Sequence, residues 1–172
     1  YVVVEADEYD RSFHHLTPYM SVITAVDPDH LDIYGTAEAY KESFEYYTSL
    51  IQGALIVKKG LNFTPRLKAG VKLYTYSVSE KADFYADNIR VQKGNIYFEF
   101  HTPTDSLPDL RLGVPVWVNI ENSVAAMAVA WLNGVNKDEL RHGLLTYSGV
   151  YRRFNIHVNN DHVAYIDDYA HH

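Results

Sequence analysis

Met20-Ser-Val-Ile-Thr-Ala-Val-Asp-Pro-Asp-His-Leu-Asp-Ile-Tyr-Gly-Thr36 is the stretch on which the reading of this chain turns. Its opening, Met20–Val26, is an apolar run that fits a buried strand. Its last residue, Thr36, can cap a following helix, in which Tyr40, Phe44, Tyr47 and Ile51 recur at helical spacing. A strand that ends in a polar loop and enters a helix is where an open α/β sheet binds its ligands. The loop, Asp27–Gly35, carries Asp27, Asp29, His30 and Asp32. Those groups at that place predict a magnesium and phosphate site.

The flanking segments extend the pattern. Tyr1–Glu5 reads as a short buried strand because Val2, Val3 and Val4 run without interruption, and Ala6–Thr17 reads as polar and irregular. Gly53 is expected to end the helix that begins at Thr36, with further strands at Ala54–Val57 and Val71–Tyr76. This alternation predicts an α/β fold, a mostly parallel sheet flanked by helices. Residues 82–117 differ. Phe84, Ala86 and Ile89 lead into Lys93-Gly94-Asn95, and Ile96, Phe98 and Phe100 then alternate, which predicts a hairpin. With one more strand over Leu110–Trp117, this region forms an antiparallel β flank. Helices follow at Ile120–Leu132, with Ile120, Val124, Met127, Ala128 and Trp131 on one stripe, and at Asn136–Thr146. Asn136 and Glu139 form a capping box for the second, and Leu140, Leu144 and Leu145 are expected to face inward. Phe154–Val158 and His162–Ile166 flank Asn159-Asn160-Asp161 as a final hairpin.

Composition narrows the function. A chain of 172 residues, 47% hydrophobic, suits one domain with its own core. Without cysteine it can form neither disulfides nor thiolate metal sites, which is consistent with a reducing cytoplasm. No apolar run approaches a membrane span and no signal peptide is visible, so no membrane partner is expected. A formal charge of −7 without any basic run disfavours nucleic acid. The chain starts inside an apolar run without methionine and stops after a polar cluster, so it is expected to be part of a longer protein.

Five constellations could carry chemistry, and each has a plain alternative. Glu5-Ala6-Asp7-Glu8-Tyr9-Asp10 could offer carboxylates to a hard cation, or be a solvated acidic loop. His30, between Asp29 and Asp32, could be a metal ligand, or sit satisfied in a helix-capping loop. Two acidic loops at the ends of successive strands reinforce each other, because such ends can share a sheet edge. Asn119-Ile120-Glu121-Asn122 opens a helix, where carboxamides could read an adenine edge or merely cap. Tyr151-Arg152-Arg153-Phe154 could clamp phosphate or be surface arginines. Asp167-Asp168-Tyr169-Ala170-His171-His172 could bind metal or a ribose.

Taken together and in order, these segments resemble the Mur ligases, the ATP-dependent amide ligases of peptidoglycan synthesis. The matching motifs are Glu5–Phe13, Asp29–Tyr34, Asn119 with Asn122–Ala126, Arg152–Phe154 and Asp167–His172. The resemblance implies the central, P-loop ATPase-like domain of such a ligase over residues 1–166, and the start of a linker over 167–172. The family's glycine-rich phosphate loop is absent, since no Gly-Lys-Thr or Gly-Lys-Ser occurs in the chain. It implies ATP and Mg2+ as cofactors. Its alanine-adding branch takes UDP-N-acetylmuramate and L-alanine as substrates, mostly through other domains, and proceeds through an acyl phosphate. By residue, it implies Glu5 on the magnesium between the terminal phosphates and His30 on a second magnesium. Asn119 and Asn122 then lie at adenine, Arg153 at the nucleotide and Asp168 at the ribose.

One departure stands out. Several relatives carry a carbamylated lysine on the helix after the histidine motif, where this chain has Phe44 and Glu45, with Lys41 nearby. Another group must supply that negative charge, or this branch works without it. Three other readings remain: a murein-tripeptide recycling ligase of the same family, a metal-dependent phosphohydrolase, and a non-enzymatic binding module.

Overall fold

The computed structural model describes residues 1–151 and 153–168, of Asn159 only the backbone. The chain divides into two compact units, one formed by Tyr1–Ser77 with Lys81–Phe84 and the other by Val78–Glu80 with the chain from Tyr85 onward. No helix of the described residues is long and apolar enough to cross a membrane.

The first unit is built on three parallel strands. β1 (Met20–Ile23) leads through a one-turn helix, α1 (Leu31–Tyr34), into α2 (Ala37–Thr48). β2 (Ala54–Lys58) pairs in parallel with β1, and β3 (Lys72–Ser77) with β2. The Thr36 side chain caps α2 by accepting the Ala39 N–H, and Tyr40, Phe44, Tyr47 and Ile51 are all buried, as their spacing predicts. These residues join Phe13, Ile23, Tyr34, Leu55 and Val57 in one core.

Several expectations need correction here. Tyr1–Glu5 forms no strand and is exposed: a strand needs a ladder partner, and no described strand pairs with it. Tyr9–His15 is a 3-10 segment, not an irregular loop, and it is broken where Asp10 and Arg11 adopt φ of 50° and 58°. β1 stops at Ile23, three residues before the apolar run ends. Gly53 does not end α2, which closes at Ser49. It sits against Tyr19 instead, where a Cβ would come within 2.7 Å of the ring. The connection from β2 to β3 contains no helix. It covers the sheet as a helix would, because Leu61, Phe63 and Leu67 pack on the core. Its backbone is held by α2, with Thr64 N–H donating to Glu45 and Arg66 N–H to Thr48 Oγ1.

The second unit carries the antiparallel flank. β4 (Phe84–Gln92), whose first residue belongs to the first unit, turns through Lys93 and Gly94, at φ of 49° and 74°, into β5 (Asn95–His101). Two successive left-handed residues suit a tight hairpin. β6 (Ser106–Arg111) pairs antiparallel with β5, so the last strand lies earlier than Leu110–Trp117. The α3 helix (Val118–Leu132) buries Ile120, Val124, Met127 and Ala128, leaving Trp131 at its edge. The α4 helix (Lys137–Thr146) opens with the predicted capping box and buries Leu140 and Leu144, but Leu145 faces solvent. Arg141 fastens α4 to β6 through the carbonyls of Pro108 and Asp109. A hairpin of β7 (Asn155–Asn159) and β8 (Ala164–Asp167) follows. The α/β core with an antiparallel flank is as the sequence indicated.

Two glycines test this packing. Gly53→Ala is expected to cost about 1–3 kcal/mol, because the methyl group overpacks Tyr19. Gly143→Ala, in α4 with open space around its Cβ, is expected to gain up to about 1 kcal/mol. Urea denaturation of both variants checks the opposite signs.

Candidate functional site

In the first unit the two acidic loops meet. The His30 Nε2 lies 3.8 Å from a Glu8 carboxylate oxygen, and its Nδ1 lies 3.9 Å from Asp29. His30 takes a left-handed backbone, φ 51°, at the start of α1, and its N–H donates to Asp29 Oδ1 at 2.7 Å. Tyr9 meets the imidazole edge-on at 5.2 Å. Tyr34, one turn after His30, donates its hydroxyl to the Glu8 carbonyl, so the second loop holds the first. Beneath them lies Tyr40. Burial raises its pKa well above the usual tyrosine range, and the carboxylates of Glu8, Asp29 and Asp27 add to this.

The structure therefore brings Glu8 to His30, while Glu5 is exposed and lies outside ion-pair distance of that imidazole. Among the described residues no three histidine, aspartate or glutamate side chains converge as a ready-made metal cage. Magnesium does not need one. It is commonly held by one or two protein carboxylates, with phosphate oxygens and water completing the shell. Two carboxylates beside an imidazole fit that requirement.

The residues at the position of the carbamylated lysine are engaged elsewhere. Phe44 is in the core, in tilted ring contact with Phe13 and Tyr40. Glu45 accepts from Thr64 N–H and pairs with Arg66, and these contacts hold its carboxyl below the usual range. Lys41 reaches Asn62. The carboxylates that lie beside His30 are those of Glu8 and Asp29.

His14 anchors the first loop from below. Its Nε2 lies 3.0 Å from the Ser43 carbonyl oxygen and 2.9 Å from Ser43 Oγ, and its ring packs on Phe13 and Tyr46. Burial lowers its pKa.

The other predicted residues lie in the second unit. Asn119 and Asn122 occupy the first turns of α3, at the rim of a groove of about 380 Å³ between α3 and α4. Its floor is small and apolar, with Ala126, Met127, Ala130 and Gly143. Asn119 donates one amide N–H to the Val114 carbonyl at 3.2 Å, leaving a second N–H and its oxygen. Such a slot can hold a flat ring by its faces and read its edge. Arg153 is exposed and its backbone N–H donates to Val150. Asp168 is exposed and accepts the Phe154 N–H at 3.1 Å. Arg152 and residues 169–172, including His171 and His172, lie outside the described residues.

The sequence reading held Glu8, Arg11 and Tyr34 only within the motifs Glu5–Phe13 and Asp29–Tyr34 and gave none of them a role of its own. The role of Tyr34 could have been found, since a tyrosine on the buried side of a one-turn helix needs a partner for its hydroxyl.

Comparison with known proteins gives the class. The sequence profile described as the Mur ligase middle domain matches residues 1–130, and the chain belongs to that family. A UDP-N-acetylmuramate–L-alanine ligase from Parabacteroides distasonis is 65% identical over the whole of this chain, which spans 38% of that protein. Among solved structures, a UDP-N-acetylmuramate–alanine ligase from Thermotoga maritima shares the fold at a TM-score of 0.82 and 24% identity, covering 97% of this chain and 38% of that one. A Thermotoga maritima MurF ligase in complex with ADP does so at 0.68 and 18%, covering 91% and 37%.

The burial of His14 predicts a pH dependence. A histidine whose folded pKa is lowered binds fewer protons than in the unfolded chain. Its penalty is absent above the unfolded value of about 6.5 and grows as pH falls through the histidine range. Urea midpoints at pH 7.5 and pH 5.5 are expected to differ less for His14→Gln than for the unsubstituted chain.

Proposed function

We propose that this chain is the middle part, residues 1–166, of a cytoplasmic ATP-dependent ligase that joins L-alanine to UDP-N-acetylmuramate in peptidoglycan synthesis. Residues 167–172 begin the linker to a further domain. The 65% identity to an enzyme of that name, along the entire chain, carries the reading. The convergence of the Glu8 and His30 loops supports it. Phosphoryl transfer to a carboxylate brings triphosphate and carboxylate charge together, so the site must neutralise charge and exclude competing water.

In this proposal Glu5 and His30 hold two magnesium ions, and Glu8 and Asp29 orient the His30 imidazole. Bound magnesium supplies charge neutralisation for the phosphate and carboxylate oxygens. Asn119 and Asn122 receive the adenine at the rim of the α3–α4 groove. Arg153 contacts the nucleotide and Asp168 the ribose. The 172 residues contain no Gly-Lys-Thr or Gly-Lys-Ser, so turnover is placed in the longer protein.

The longer protein is expected to release phosphate from ATP only when both UDP-N-acetylmuramate and L-alanine are present. His30→Ala is expected to lower turnover about tenfold or more and to raise the magnesium needed for half-maximal rate. A magnesium titration identical to that of the parent would remove His30 from the site. Phosphate release without L-alanine would favour a phosphohydrolase.

A further inference from the structure

Arg11 has no part in the roles assigned so far. It is the one lysine or arginine among residues 1–40, a span that contains Glu5, Asp7, Glu8, Asp10, Asp27, Asp29, Asp32 and Glu38. A cation in such surroundings is expected to pair with a carboxylate, yet none of the described carboxylates comes within ion-pair distance of it. Its guanidinium lies instead over the Tyr34 ring, 4.7 Å from the centroid.

The backbone holds it there. Arg11 N–H donates to the Glu8 carbonyl at 3.0 Å, and Asp10 and Arg11 both adopt left-handed φ. The Tyr34 ring is 5% exposed and fixed by its own hydrogen bond to the same Glu8 carbonyl. Three other arginines engage oxygen atoms. Arg66 pairs with Glu45, Arg90 with Asp109, and Arg141 donates to two carbonyls. A cation–π contact through the ring face uses none of the five N–H donors of a guanidinium. Arg11 is thus held in place with its donor fork uncommitted, over the ring whose hydroxyl ties the Glu8 loop to the His30 loop.

We propose that Arg11 is an oxyanion-binding residue, which takes phosphate or carboxylate oxygens where the two acidic loops meet. An anion approaching these loops meets a field dominated by carboxylates. A fixed guanidinium offsets that field locally and offers bidentate geometry. The identity of the substrate rests on the ligase reading; the anion chemistry does not.

The test follows the Arg11 Nε–H signal of the 172-residue chain by NMR, titrated with inorganic phosphate and, separately, with acetate at matched ionic strength. The Arg11 signal is expected to move saturably and several-fold further than those of Arg66, Arg90 and Arg141. The more effective anion identifies the phosphate or the carboxylate as the source. Arg11→Gln is expected to abolish the accompanying shift of the Tyr34 ring. An Arg11 signal that moves no further than the three paired arginines overturns the proposal. In the longer protein, Arg11→Gln is expected to raise KM for ATP or for UDP-N-acetylmuramate about tenfold, the scale of one charge-assisted hydrogen bond, with kcat little changed. Unchanged KM for both also overturns it. If the parent protein ligates nothing while the chain binds anion through Arg11, the ligase reading fails and this one stands.

Discussion

The hydrogen bond from the Tyr34 hydroxyl to the Glu8 carbonyl ties together two loops that share no strand pairing. Besides this bond, the segment after Ala6 is held to the rest of the first unit by Phe13 and Leu16 in the core and by His14 against Ser43. With the Tyr34 bond, Glu8 is placed against His30, Arg11 is seated over the Tyr34 ring, and Tyr9 reaches the imidazole edge. A buried hydroxyl without a partner is costly, on the order of 1–3 kcal/mol, so the same bond that serves the core also fixes the surface.

The tyrosine can do this because it stands on a column of rings. Tyr34 meets Tyr40, Tyr40 meets Phe44, Phe44 meets Phe13, and Phe13 stacks on Tyr47, with centroid separations from 4.8 to 5.1 Å. Each such contact contributes about 0.5–1.5 kcal/mol beyond its buried area. Tyr47 ends the column with its hydroxyl 2.8 Å from Ser21 Oγ on β1. The column thus runs from the parallel strands, along α2, to the two loops. Phe44 is a central member of it, so a charged or extended side chain could not replace it without opening the core.

What could be read from the sequence follows from what is local. Thr36 and Asn136 cap their helices through neighbours three residues away, and Lys93-Gly94 turns its hairpin by its own backbone preference. The helical spacing of Tyr40, Phe44, Tyr47 and Ile51 needs only periodicity to be seen. The misreadings involve partners distant in sequence. Val2, Val3 and Val4 have strand propensity, but a strand exists only where a ladder forms. Gly53 looked like a helix stop, whereas its reason is the Tyr19 ring. The candidate site shows the same division. His30 stood out because its neighbours in sequence are acidic. That Glu8 is the carboxylate of the first loop beside His30 depends on the fold, through Tyr34, and not on any neighbour in sequence.

The backbone at His30 adds an argument about the side chain itself. A left-handed φ is free of strain for glycine, and among other residues asparagine, aspartate and histidine tolerate it best. The neighbouring Gly35, at φ 78°, shows the chain using glycine where the backbone alone is at issue. At position 30 it carries a bulky imidazole at a conformation glycine would adopt more cheaply. The loop does not need that ring for packing, since His30 is half-exposed and absent from the core. What the ring gains there is a place between Glu8 and Asp29, one nitrogen toward each. A strained position that keeps a titratable side chain between two carboxylates is better explained by the chemistry of the imidazole than by the fold.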